Sequence, residues 1–135
     1  MFKETFEFED FFGVKRKEDH YFQLSEPEVM QLNFSSAGNL KDTVEKITQE
    51  QNGARIISLF EEIILKAHGE RSEDGRLFIK DEEAQKRFKY SPVYPLMYMK
   101  LATDAEYAAK FLESILPKDM KNNSGQRPDL SVVKH

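Results

Sequence analysis

Apolar and polar positions alternate at the start of the chain. Phe2, Phe6 and Phe8 occupy even positions, Glu4 falls in the same set, and Lys3, Thr5, Glu7 and Glu9 lie between them. A period of two marks a strand with one buried face. Asp10-Phe11-Phe12-Gly13 supplies a turn, with Gly13 able to adopt positive φ. Residues 14–24 read as a second strand that ends in the aromatic pair Tyr21 and Phe22. The two segments predict an antiparallel hairpin over residues 2–23. Because a lone hairpin is marginal in water, it is expected to pack on helices or on a partner's sheet edge.

From Ser25 the period changes to that of a helix. Ser25 and Glu28 are spaced as a capping box, with Pro27 inside the first turn, and the helix that follows carries Val29, Met30, Leu32 and Phe34. Asn39 caps a predicted helix running to about Gln51, with Leu40, Val44 and Ile47 on one face. Residues 54–67 hold the widest apolar stripe, which includes Ile57, Phe60, Ile63, Ile64 and Ala67, and so predict the central helix. Gly69 stands where a left-handed cap residue is wanted. Ser72-Glu73-Asp74-Gly75 reads as a turn, suited to the tip of a small hairpin with Leu77-Phe78-Ile79 following. Asp81 caps a short helix with Ala84 and Phe88 inward, and Ser91-Pro92 opens another that carries Tyr94, Leu96, Met97, Tyr98, Met99 and Leu101. Thr103 is the expected cap of a last helix over residues 104–116, faced by Tyr107, Ala108, Phe111, Leu112 and Ile115 and stopped by Pro117.

The expected fold class is therefore α+β and predominantly α-helical: an N-terminal antiparallel β-hairpin followed by a bundle of five or six helices. Residues 1–117 are expected to form one globular domain, hairpin to residue 24 and helical from 25, with Ile57, Phe60, Ile64 and Phe111 in its core. Residues 118–135 offer little beyond Val132-Val133 to bury and are expected to be a flexible tail.

Composition narrows the function. The chain has 135 residues, 39% hydrophobic and 33% charged, a balance suited to a globular domain rather than a disordered or membrane-spanning one. No apolar run approaches the roughly 20 residues of a membrane span. The opening MFKETFEFED is acidic where a signal peptide is apolar, so export is not expected. The absence of cysteine excludes disulfides, thiolate catalysis and cysteine-ligated zinc. A net charge of −4 runs against nucleic-acid binding, and the one basic cluster, Lys15-Arg16-Lys17, is followed at once by Glu18-Asp19 and reads as a solvated strand face.

Candidate chemistry is sparse. The histidines are His20, His68 and His135, without the spacings of a metal-binding helix. His68 reads as a cation at the negative end of a helix, rather than as a general base or metal ligand. The carboxylates around Asp74-Gly75 lack the alternation of a calcium loop, and Glu61-Glu62 and Glu82-Glu83 are sequence neighbours that point about 100° apart on a helix. Phosphate-loop, nucleophile-elbow and dinucleotide motifs are absent. Catalytic residues, cofactor and metal are therefore not expected, and a binding or assembly protein is the default. The aromatic content fits that reading: eleven Phe and five Tyr occur without Trp, and Phe2, Phe6, Phe8, Phe11 and Phe12 crowd one end. Such a surplus suits a partner surface.

Three segments then resemble a known family in order and spacing. The first is Gly13-Val14, charged residues up to His20, Tyr21-Phe22-Gln23-Leu24 and Glu28-Val29-Met30. The second is Ile63-Ile64-Leu65-Lys66-Ala67-His68-Gly69-Glu70 with Ser72, Asp74-Gly75 and Phe78-Ile79-Lys80. The third is Tyr94-Pro95-Leu96-Met97 and Leu101-Ala102-Thr103-Asp104-Ala105, then Ala108-Ala109, Phe111 and Ile115-Leu116-Pro117. Together, over about residues 8 to 120, they resemble the tail assembly chaperones of long-tailed bacteriophages and related prophages; the Phe11-Phe12 pair, Pro95 and the stretch after Met120 depart from that pattern.

The resemblance implies a non-enzymatic role in the host cytoplasm. It implies binding to the tape measure protein, recruitment of tail tube protein, and absence from the mature virion. It also implies a longer product made by ribosomal frameshifting in many members. The alternatives are a structural tail component or tail terminator retained in the virion, and a small intracellular enzyme or regulator. Nucleic acid and membrane are not expected partners. The candidate partner-binding residues are Phe8, Phe11 and Phe12 on the hairpin and Tyr94, Met97 and Tyr98 on the Pro92 helix, where Met adapts to varied sequences and Tyr offers an amphipathic ring. The plainer reading of both sets is ordinary core, and the hairpin's strand edges suit a homo-oligomer.

Overall fold

The computed structural model describes residues 1–33 and 53–117. The expected helix from Asn39 to about Gln51, Phe34 and the expected tail at 118–135 lie outside the described residues. In chain order the elements are β1 (Phe2–Glu9), β2 (Lys15–Phe22), α1 (Glu26–Asn33), α2 (Gly53–Ala67), β3 (His68–Arg71), β4 (Phe78–Ile79), α3 (Glu82–Lys89), α4 (Val93–Thr103) and α5 (Ala105–Ile115).

The expectation of a hairpin followed by a helical bundle is corrected. β3 and β4 come from the middle of the chain, between α2 and α3, and join the hairpin in one antiparallel sheet of order β1-β2-β3-β4. The described helices number five and accompany that sheet. The physical reason lies at the end of β2. Tyr21 and Phe22 pair with Lys3 and Phe2 on one side, and on the other they pair with Gly69 and His68. A hairpin gains stability when further strands and a packed face are added, and β3 supplies the third strand. The second hairpin, anticipated at Ser72 to Gly75, closes as β3 and β4 with the Ser72 N–H donating to the Leu77 carbonyl at 3.0 Å.

The period of two in β1 is observed. Phe2 and Phe6 are buried and Phe8 is half-buried against the core. Glu4, the polar member of that inward set, accepts a hydrogen bond from the Tyr107 hydroxyl at 2.8 Å, so it is not left unpaired. The β1–β2 turn closes at Gly13, whose φ of 82° suits glycine. Phe22 sits at the centre of the core, with ring centroids of Phe2, His68, Phe88 and Phe111 between 5.2 and 6.1 Å away in edge-on arrangements.

Helix starts follow their caps. The Ser25 N–H donates to Glu28 Oε1 at 2.8 Å and the Glu28 N–H to Ser25 Oγ at 3.4 Å, the reciprocal bonds of a capping box. Asp81 accepts from the Ala84 N–H at 2.9 Å. The cap of α5 is Asp104, which accepts from the Tyr107 N–H at 3.0 Å; Thr103 instead ends α4, its hydroxyl donating to the Met99 carbonyl. The far end of α5 is tied back to the chain after β2, where the Leu24 N–H donates to the Ile115 carbonyl at 2.8 Å. Between α1 and the sheet, Lys80 Nζ donates to Glu28 Oε1 and to the Gln23 carbonyl, each at 2.6 Å. Burial lowers the Lys80 pKa, and Glu28 opposes that shift.

Three local expectations change. Ile57 is 57% exposed rather than core, because it lies a turn before Phe60, at the end of the inward stripe of Phe60, Ile63, Ile64 and Ala67. Gly69 is not a left-handed helix cap; it is a strand residue paired with Tyr21, and a Cβ there would come within 2.8 Å of the Phe78 ring. His68 is the first residue of β3 rather than the last turn of a helix. Among the described residues, no helix is long and apolar enough to cross a membrane.

Candidate partner-binding surfaces

The β1–β2 turn is held rigidly by one side chain. Asp10 Oδ1 accepts from the Phe12 and Val14 N–H groups, both at 2.9 Å, and Asp10 Oδ2 accepts from Arg16 Nε at 2.8 Å. The Gly13 N–H closes the turn on the Asp10 carbonyl at 2.9 Å. These bonds hold the Asp10 carboxyl below its usual pKa range, the Val14 N–H first and the Arg16 bond next. With every carboxylate oxygen engaged below, Phe11 and Phe12 are turned outward and are 83% and 94% exposed. Phe8, three residues earlier on β1, is half-buried against the core.

The second candidate set is divided by the structure. On α4, Val93, Met97 and Leu101 recur every four residues and form the buried face. Met97 is fully buried, with its Sδ 3.5 Å from the Tyr107 hydroxyl, so it presents nothing to a partner in this fold. Tyr94 and Tyr98 are half-buried at the edge of the core, their ring centroids 6.2 Å apart. Burial pushes the Tyr94 hydroxyl up to about 12, with Glu61 and then Tyr98 adding to it. The Tyr98 hydroxyl is raised by the same burial and by Glu61. Sequence reasoning missed Leu96 and Met99, three apart and both exposed. The spacing of Val93, Met97 and Leu101 was the signal for the inward face, but α4 carries one charged residue, Lys100, and its apolar circumference hides any orientation. Among the described residues, no hydrogen bond, ion pair or ring contact joins the hairpin tip to the Tyr94–Tyr98 pair.

A third feature was not anticipated. His68 is buried, its ring stacked on Phe88 at 3.8 Å and 6°. Its Nε2 lies 2.9 Å from His20 Nδ1, and His20 Nε2 lies 3.0 Å from Glu18 Oε1. A carboxylate accepts only, so Glu18 places the His20 proton on Nε2 in the neutral ring; His20 Nδ1 then accepts from His68 Nε2–H. Burial lowers the His68 pKa to about 3, with the fields of His20 and Lys80 acting the same way. The expected cation at a helix end is thus corrected to a neutral, buried imidazole. Forty-eight residues separate the two rings in the chain, and only the β2–β3 pairing brings them together. They border an open cleft of about 490 Å³ between Glu18–Tyr21 of β2 and His68–Arg71 of β3 with Ser72 and Glu73 of the turn that follows. Among the described residues, no group of three His, Asp or Glu side chains is placed to hold a metal ion.

No curated protein and no solved structure matches the chain. The family model described as phage tail assembly chaperone matches residues 1–134, spanning the hairpin, the sheet and every helix described above, and the chain therefore belongs to the phage tail assembly chaperone family.

Proposed function

We propose that the chain binds the tape measure protein while the tail is being built and brings tail tube subunits to it. In this reading it acts without catalysis in the host cytoplasm and is left out of the finished particle. What supports it is the family match over residues 1–134, and the surface the chain offers for it is the Phe11-Phe12 pair, two aromatic rings 83% and 94% exposed on a turn that Asp10 has already ordered. Exposed aromatics are candidates for binding anchors, and a preorganised turn loses little conformational freedom when a client covers it. The exposed Leu96 and Met99 offer a second apolar surface of the kind that receives the apolar face of a client helix.

Co-expression with a tape measure fragment tests this reading. Wild type is expected to keep the fragment soluble and to co-purify with it, whereas Phe11→Ser with Phe12→Ser loses the complex while keeping its circular dichroism and melting temperature. Failure of wild type to co-purify, or retention of the client by the double variant, overturns it. Mass spectrometry of purified particles checks the rest: presence of the chain at stoichiometric level would make it a virion component.

A further inference from the structure

The ladder between β2 and β3 stops after two residue pairs, Tyr21 with Gly69 and Phe22 with His68, although both strands continue. β2 remains paired with β1 as far as Lys15, and β3 remains paired with β4 through Glu70 and Arg71. In antiparallel ladders, residues alternate between those whose backbone groups bond one neighbour and those whose groups face the other side. The Gln23 N–H donates to the Ala67 carbonyl at 2.9 Å, which makes Tyr21 with Gly69 the next bonded pair and Asp19 with Arg71 the one after it. That last pair is not formed.

The other neighbours give the same phase. The Asp10 N–H donates to the Val14 carbonyl at 2.9 Å, so Arg16, Glu18 and His20 bond β1, and the backbone groups of Asp19 face away from β1. The Ser72 N–H bonds the Leu77 carbonyl at 3.0 Å, so Glu70 bonds β4 and the groups of Arg71 face away from β4, toward β2. Asp19 and Arg71 therefore aim N–H and C=O groups into the opening between the strands, which is the cleft of about 490 Å³.

The charge around this opening is uneven. Asp19 faces Lys3 at 3.6 Å, Glu70 is held by both Nε and Nη2 of Arg87 at 2.8 Å, and Arg71 lies over the Tyr21 ring at 3.9 Å. Glu18 contacts the His20 ring, and Glu73 has no cationic partner among the described residues. Two carboxylates on the rim are thus left for a cation. Elsewhere the hairpin carries charged side chains, Lys3, Glu7, Glu9, Lys15 and Lys17, on its outer face, an arrangement that discourages indiscriminate strand addition.

We propose that the opening between β2 and β3 is an acceptor slot for an extended segment of a partner polypeptide. The segment adds as a strand against the backbone of Asp19 and Arg71 and sets a Lys or Arg beside Glu18 or Glu73. Backbone bonds supply the affinity and the two carboxylates the preference for basic segments. The inference holds whichever tail protein supplies the segment, and so stands apart from the tape measure reading.

The test is a random decapeptide display library panned against the folded full-length chain. Expected hits alternate β-branched or aromatic residues with Lys or Arg. A synthetic hit should shift and protect the amides of Asp19 and Arg71 in NMR spectra. N-methylation of alternate backbone amides should abolish binding, and Glu18→Gln with Glu73→Gln should weaken it roughly threefold to tenfold, as expected for two exposed ion pairs. Absence of enrichment, hits that perturb other residues, or equal binding by the N-methylated peptide overturns the proposal. A concentration-dependent dimer that protects the same two amides without peptide would assign the slot to a second copy and overturn it as well.

Discussion

The buried His68 predicts a loss of stability in mild acid that can be assigned to one residue. Its pKa falls from 6.5 to about 3 on folding, because the ring is buried against Phe88 and Phe22 and beside His20 and Lys80. The sign follows from which state takes up the proton. Below pH 6.5 the unfolded chain protonates this imidazole and the folded chain does not, so stability is intact above 6.5 and declines as pH falls toward 3. At about 1.36 kcal/mol per unit, the decline from pH 7 to pH 5 is roughly 2 kcal/mol, a large part of the ~5–15 kcal/mol typical of a domain. Carboxylates whose pKa is lowered, such as Asp10 and Glu70, contribute mostly below that window, since their usual values lie at 3.8 and 4.5. The assay is urea denaturation at pH 7 and pH 5, followed by circular dichroism because the chain lacks Trp. His68→Phe preserves a ring to stack on Phe88 and removes the titrating group. The variant is expected to be less stable than wild type at pH 7, where His20 loses its partner, yet to lose less than about 0.5 kcal/mol between the two pH values. An equal pH-dependent loss in wild type and variant would refute the assignment of His68 as a neutral, buried ring.

Three further outcomes test the packing and the turn. Phe60→Ala should cost about 3–5 kcal/mol in urea denaturation, whereas Ile57→Ala, on the same helix but exposed, should cost well under about 1 kcal/mol. Gly69→Ala brings a methyl within 2.8 Å of the Phe78 ring and should lower stability by about 1–3 kcal/mol; Phe78→Leu in the same chain should recover part of that loss. Asp10→Ala removes three hydrogen bonds from the β1–β2 turn and should broaden the NMR signals of Phe11 and Phe12 while leaving the melting temperature within a few degrees.

The β3–β4 hairpin ties the middle of the chain to its start. The segment from Ile63 to Lys80 is where α2 runs directly into β3 and where the chain returns to the N-terminal hairpin. Its His68, Gly69 and Phe78 serve the joint between the two hairpins: His68 fills the space under Phe22 and Phe88, Gly69 admits the Phe78 ring, and Arg71 donates to the Tyr21 hydroxyl at 2.8 Å.

Local signals in the sequence determined the elements themselves. The alternation of Phe2, Phe6 and Phe8, the capping box at Ser25 and Glu28, the Asp81 cap, the turns at Gly13 and Gly75, and the stripe through Phe60 and Ile64 each depend on neighbours within a few residues, and each is found where the chain predicted it. Their physics is short-ranged, a period or one hydrogen bond, so the sequence carries it in plain view. What only the tertiary structure decided is which faces meet. The four-residue strand at His68 has no period of its own, and it is a strand because the free side of Tyr21 and Phe22 pairs with it. Met97 and Leu96 are adjacent and similarly apolar, yet one is fully buried and the other open, because α4 is apolar all round and its orientation is set by α2, α3 and α5. The His20–His68 contact and the opening between Asp19 and Arg71 depend on residues about fifty positions apart, brought together by burial of a shared core, and no pattern local to either segment encodes that distance.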